Sequence, residues 1–157
     1  MIKYWSLPSL HKMENKKIKY WLAVASRDHV KNGIAQGIAQ ACHGKSTPLK
    51  RMTKGDFIIY YSGKQTLGKT DKCQEFTALG EVKDDEVYDY QVSNDFCPSR
   101  RNIEFIPSRD TPVLPLINDL DFIENKRNWG YKFRLGFFEI NRHDFELISS
   151  KMLNNNV

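Results

Sequence analysis

The stretch "KIKYWLAVASRDHVKNGIAQGIAQACHGK", residues 17–45, decides the architecture, because its periodicity changes in the middle. From Trp21 to Ala25 the residues are continuously apolar, with aromatic and β-branched types, which reads as a strand buried on both faces. Past Ser26 the spacing of Val30, Ile34, Ile38 and Ala41 is helical. Ser26 or Asp28 can cap that helix by accepting its orphan backbone N–H groups. Gly33 and Gly37 lie four apart on the apolar side, where glycine costs about 1 kcal/mol against alanine. They imply close approach of another backbone or a ligand, or an irregular helix. Gly44 in "CHGKS" is the expected cap at the far end of the helix.

Downstream, "GDFIIYYSG" reads as a turn at Gly55-Asp56 followed by a second strand. A third strand is expected over Phe76–Lys83, followed by an acidic connection. A fourth is "RRNIEF", with Ile103 and Phe105 alternating against Asn102 and Glu104. A proline-containing segment with a short helix leads to a last strand, "LGFFEI", and a C-terminal helix. Asn141 is its expected N-cap, Ile140 and Phe145 form a hydrophobic staple, and Phe145, Ile148 and Met152 make its apolar stripe. This order fits neither a doubly wound sheet nor a bundle. It fits an α+β fold, a mixed and partly closed sheet flanked by helices.

The 157 residues suit one domain, with 40% apolar and 27% charged residues. "IKYW" occurs at 2–5 and again at 18–21 without matching flanks, so it is not a structural repeat. Residues 1–17 read as an extension whose Tyr4 and Trp5 can dock on the fold, and 18–157 as the domain. No apolar run approaches the roughly 18 residues of a membrane span, and a cytoplasmic protein is expected. Cys42, Cys73 and Cys97 are odd in number and lack CxxC spacing, and the four histidines lack metal spacing. No metal or cofactor is expected. The net charge of +5 favours an anionic partner. From Lys45 to Lys72 seven Lys/Arg face two Asp, whereas from Glu81 to Asp95 six acids face one Lys.

Taken together, "YWLAVAS", "GIAQACHGK", "GDFIIYYS", "FTALGEV", "RRNIEF", "NWGYKFRLGFFEI" and "DFELISSKM" resemble the EVE domain family, over about residues 18–153. More broadly the order resembles the PUA-like superfamily, with its YTH and ASCH domains. The resemblance implies a PUA-like pseudo-barrel and a pocket near the end of the first strand, beside the helix that follows. It also implies that the pocket holds a modified nucleobase of RNA or DNA between aromatic rings.

The candidate residues each have two readings. Ser26 matches a serine of related domains at the strand–helix junction, and is otherwise a plain N-cap. Tyr60 and Tyr61 point to opposite faces of their strand, so only one can line a given pocket, and parity does not say which. Ser62 follows at the strand end. Trp129, in the basic turn "RNWGYKFR", either stacks on a base or covers the core; Trp21 is expected in the core. His43 and Lys45 fall at the pocket mouth, with Lys45 a phosphate contact and His43 a base contact, or else His43 is a helix-end residue favoured by the dipole. Arg100 and Arg101 bind phosphate or a base edge, or pair with the acidic segment. The expected function is a non-catalytic nucleic-acid-binding module. The alternative is a small ASCH-like hydrolase acting on a nucleoside or RNA, for which Lys45 and Glu75 could in principle do acid–base work, although nothing in the sequence puts them together.

Overall fold

The computed structural model describes residues 17–41 and 44–154. Strand β1 (Tyr20–Val24) leads into helix α1 (Arg27–Gln36), the short strand β2 (Ile38–Ala39) and helix α2 (Ser46–Lys50). Strands β3 (Phe57–Lys64), β4 (Lys72–Asp89), β5 (Ser99–Phe105) and β6 (Thr111–Pro112) follow. Two 3-10 turns, Leu114–Asp119 and Tyr131–Leu135, precede β7 (Phe137–Ile140) and helix α3 (Arg142–Leu153). Strands β1 and β3 run parallel, which requires a crossover, and α1, β2 and α2 supply it. The other pairings are antiparallel, giving a mixed seven-stranded sheet in the order β2-β5-β4-β3-β1-β7 with β6 on β4.

The sheet is apolar on both faces. Leu22, Ile59, Tyr61, Phe76 and Leu79 point to one face, packed under Leu116, Phe133, Ile148 and Met152. Trp21, Ala23, Ile58, Tyr60, Ala78 and Ile103 point to the other, under Val30 of α1 and Leu49 of α2. Simple alternation would put Phe76 and Ala78 on one side. A register shift prevents this: Tyr60 pairs with Ala78 but Tyr61 pairs with Phe76, leaving Thr77 as the extra residue. Thr77 is satisfied all the same, its hydroxyl sharing a 2.7 Å hydrogen bond with Ser62 and its carbonyl accepting from Lys31 Nζ at 3.0 Å. The Gly55-Asp56 turn is an anchor. Asp56 is fully buried and its carboxylate accepts from the Trp21 indole, Lys19 N and Thr53 N at 3.0, 3.1 and 2.9 Å. Trp21 is in the core as expected.

The crossover differs from its periodicity. Helix α1 stops at Gln36, because Gly37 adopts φ 69° and donates to the carbonyls of Gly33 and Ile34. Ile38 therefore belongs to β2 rather than to a longer helix, pairing with Asn102. A Cβ on Gly33 would lie 3.0 Å from the carbonyl oxygen of Ile38, so the close neighbour is the chain's own return path. Gly44 (φ 82°) is not the helix cap; it packs on Pro98, where a Cβ would come within 2.6 Å of that ring. The acidic connection expected after Lys83 instead continues β4 to Asp89. An irregularity between Val82 and Val87 absorbs Asp84 to Glu86, and pairing resumes as Val87↔Arg101. The C-terminal helix is as read: Asn141 Oδ1 accepts from Asp144 N at 2.8 Å. Ile148 and Met152 are buried, and Phe145 stacks on Tyr20 at 4.5 Å.

Candidate functional site

Strand β1 ends at Val24, the chain turns into α1, and a cavity of about 180 Å³ opens beside this junction. That is below the roughly 300–1,000 Å³ of pockets for drug-sized ligands, and suits a single small ring system. Its floor is Tyr60, and its walls come from Ala25, Val30 and Gly33, from Gln36 and Gln40 on either side of β2, and from Arg100 of β5. Tyr60 is 4% exposed, and its hydroxyl donates to the Gln40 carbonyl at 2.7 Å. Arg100 is 8% exposed. Its Nε donates to Gln40 Oε1 at 2.8 Å, its Nη1 to Gln36 Oε1 at 3.2 Å, and its guanidinium lies 4.0 Å over the Tyr90 ring.

The outer wall was not anticipated. Beyond β4 the chain forms a small arm, closed by Tyr90 N donating to Pro98 O at 3.0 Å and Val92 N to Phe96 O at 2.9 Å. Val92 and Phe96 of this arm line the cavity while remaining 51% and 41% exposed. A buried tyrosine and a half-exposed phenylalanine thus bound one small space. His29 and Asn32 form its exposed rim. The signal for Phe96 was an aromatic residue among the polar residues of "SNDFCP". Gln36 and Gln40 gave no sequence signal beyond their place in the crossover.

Tyr60 and Arg100 meet at this cavity. Tyr61 takes the other face, stacked on Phe133 at 3.8 Å with the rings 8° apart, and burial pushes its phenol far above the usual range. Ser62 is fully buried, with Thr77 as its partner, and has no access to the cavity. Arg101 points the opposite way from Arg100. It is 1% exposed and donates to the carbonyls of Leu49, Met52 and Asp84 at 2.7, 2.6 and 2.7 Å. It does reach the acidic segment, with Asp85 at 3.4 Å, but from inside the core. Trp129 packs on the Tyr61 face, edge-on to Phe133 at 6.4 Å, away from the cavity. Ser26 stands at the N-cap position, yet its Oγ donates to Asp28 Oδ1 at 2.5 Å instead of capping; its neighbour Ala25 lines the cavity. That bond lowers the Asp28 carboxyl below its ordinary value. His43 lies outside the described residues.

Lys45 is exposed at the start of α2, following Gly44, which abuts Phe96 and Pro98. On the other side of α1, Asp28 N donates to Gln65 O at 3.0 Å, holding the β3–β4 loop against the helix start. That loop carries the exposed Lys69, and the strand ends that bound it carry the exposed Lys64 and Lys72. No lysine among the described residues lines the cavity, but these exposed lysines belong to segments that adjoin its Phe96 wall and the start of α1. Lys45 and Glu75 are not brought together: Lys45 is near the Pro98 arm at the end of β4, and Glu75 near its start beside Cys73. Elsewhere Asp121, His143 and Asp144 gather ligand atoms within 4.8 Å. Asp144, however, is committed to the backbone N–H groups of Asp121 and Phe122 at 2.8 and 2.9 Å.

The EVE domain model matches residues 19–151. This chain belongs to the EVE domain family. Bacillus licheniformis has a relative, "UPF0310 protein in gntR 5'region", 53% identical over 128 residues, covering 82% of this chain and 87% of that one. A UPF0310 protein of Mycolicibacterium vanbaalenii is 47% identical over 133 residues, 85% of this chain and 92% of that one. Among solved structures, the YTH domain of the Zygosaccharomyces rouxii MRB1 protein, in complex with N6-methyladenosine RNA, superposes with a TM-score of 0.58. It covers 88% of this chain and 89% of that one at 13% identity, a likeness of fold. This EVE domain thus has an α+β fold like that of the YTH domain.

Proposed function

We propose that this EVE domain binds nucleic acid by taking one base, modified in its natural target, into the Tyr60–Phe96–Arg100 cavity. The observation that carries the reading is the cavity itself: an aromatic floor, a half-exposed aromatic wall and fixed polar groups in about 180 Å³. Base–aromatic stacking contributes roughly 1–3 kcal/mol per base, so one ring holds an extruded base and a second strengthens the grip. Extrusion costs a few kcal/mol from a duplex and least from a single strand. Lys45 on one side and Lys64, Lys69 and Lys72 on the other are placed to meet the flanking phosphates. Ser26, which follows Ala25 of the cavity wall, is a further candidate for a contact, and His43 remains one from the sequence alone. The complex of the YTH neighbour with N6-methyladenosine RNA supports the class of ligand.

The test is a titration of single-stranded RNA and DNA, with and without base modifications, over a salt series. With three phosphates neutralised, log K falls against log salt with a slope of about −2, as expected for single strands. One modified oligonucleotide binds more tightly than its plain counterpart. A flat salt response with no preference among bases would rule the reading out.

A further inference from the structure

Arginine has donors and no acceptor, so any amide it meets must turn its oxygen toward it. In this cavity Arg100 meets two amides at once, Gln40 through Nε and Gln36 through Nη1. Arg100 is itself stacked on Tyr90 and nearly buried, which favours this one arrangement. The usual two-fold ambiguity of a glutamine amide is thereby removed on chemical grounds. Both Oε1 atoms are engaged by the guanidinium, so the groups these two lining amides have left to offer an occupant are their Nε2 donors. The Gln40 backbone carbonyl, another acceptor close by, already takes the Tyr60 hydroxyl.

We infer that the cavity reads the acceptor edge of a base: Gln36 and Gln40 present N–H donors, and Arg100 is the positioning residue that sets their polarity. This rests on the base-binding reading above and adds a ligand class to it. A purine with a carbonyl at position 6 offers two adjacent acceptors, O6 and N7. Adenine offers N7 beside an amino group, so one amide donor would meet another donor and both would lose their water partners. A site built to hydrogen-bond one group rejects the analogue that lacks it far more strongly than a purely apolar site does.

The experiment compares the full chain's affinity for single strands identical except for one central inosine or one central adenosine. Gln40→Glu and Gln36→Glu are then measured in the same way. Each glutamate keeps an oxygen for Arg100 but loses the amide N–H groups, and the added charge weakens both ligands alike, so the readout is the inosine-to-adenosine ratio. The expected wild-type ratio is about tenfold, falling to one or below in either variant. Two variants guard against one failing to fold, which a thermal melt reports. Equal wild-type affinities, or a ratio unchanged in a folded glutamate variant, would overturn the donor-edge inference while leaving base binding in place. No measurable binding to any strand, modified or plain, would overturn both.

Discussion

Adjacent residues in this chain have opposite roles, because successive side chains of a strand point opposite ways. Tyr60 lines the cavity and Tyr61 stacks on Phe133; Arg100 reaches the cavity and Arg101 the interior. The sequence shows that such pairs must divide but not which way, because both sheet faces are apolar and parity has no polar side to orient it. The bulge at Thr77 adds a further difficulty, since it moves Phe76 and Ala78 to different faces in spite of their even spacing. Arg101 illustrates what was illegible. A basic pair after a proline reads as surface, yet three backbone carbonyls of the crossover and of β4 close around the second guanidinium. Removing it takes the guanidinium donors from the carbonyls of Leu49, Met52 and Asp84 and leaves a cavity in the core. Arg101→Ala is expected to destabilise the fold by about 3–5 kcal/mol, measured by urea unfolding. Arg100→Ala, whose partners are side chains at the cavity wall, should cost clearly less.

Among the elements, strands were the most readable and the crossover the least. Four strands carry uninterrupted or alternating apolar runs, and α3 has a side-chain cap that the sequence names outright. The crossover looked like one long helix because Ile38 and Ala41 keep helical spacing past the true end. The competing principle is glycine's access to left-handed backbone. At Gly37 the chain reverses, and α1 ends early enough for β2 to pair with β5. That early stop places Gln40 opposite Gln36, so the cavity exists because the helix does not continue. Gly37→Ala must force an alanine into φ 69°. It is expected to cost about 1 kcal/mol or more by thermal or chemical unfolding, and to weaken any ligand of the cavity beyond that loss. The arm carrying Phe96 was illegible for another reason: it follows an acidic strand and has no periodicity of its own.

Across the whole molecule, the sheet separates two tasks. Its Tyr61 face, under α3 and the 3-10 turns, carries the larger apolar cluster and holds the fold together. Its Tyr60 face, under α1 and α2, is packed except near the β1–α1 junction, where the cavity opens. Of the basic residues counted from Lys45 to Lys72, Lys45 follows the Gly44 that abuts Phe96, Lys64, Lys69 and Lys72 lie in and beside the β3–β4 loop, Arg51 lies over Trp21, and Lys54 N donates to Asp85 of the acidic run. Trp129, the most conspicuous exposed-looking aromatic in the sequence, belongs to the Tyr61 face, and Phe96 takes the place expected of it. These two rings make the sharpest test of the central claim that the cavity is where a base binds. Phe96→Ala and Trp129→Ala are each titrated with the tightest-binding single strand, at fixed salt, alongside the wild type. The account predicts that Phe96→Ala loses about 1–3 kcal/mol of binding free energy while Trp129→Ala binds within a few tenths of the wild type. Undiminished binding by Phe96→Ala together with a large loss in Trp129→Ala would contradict it.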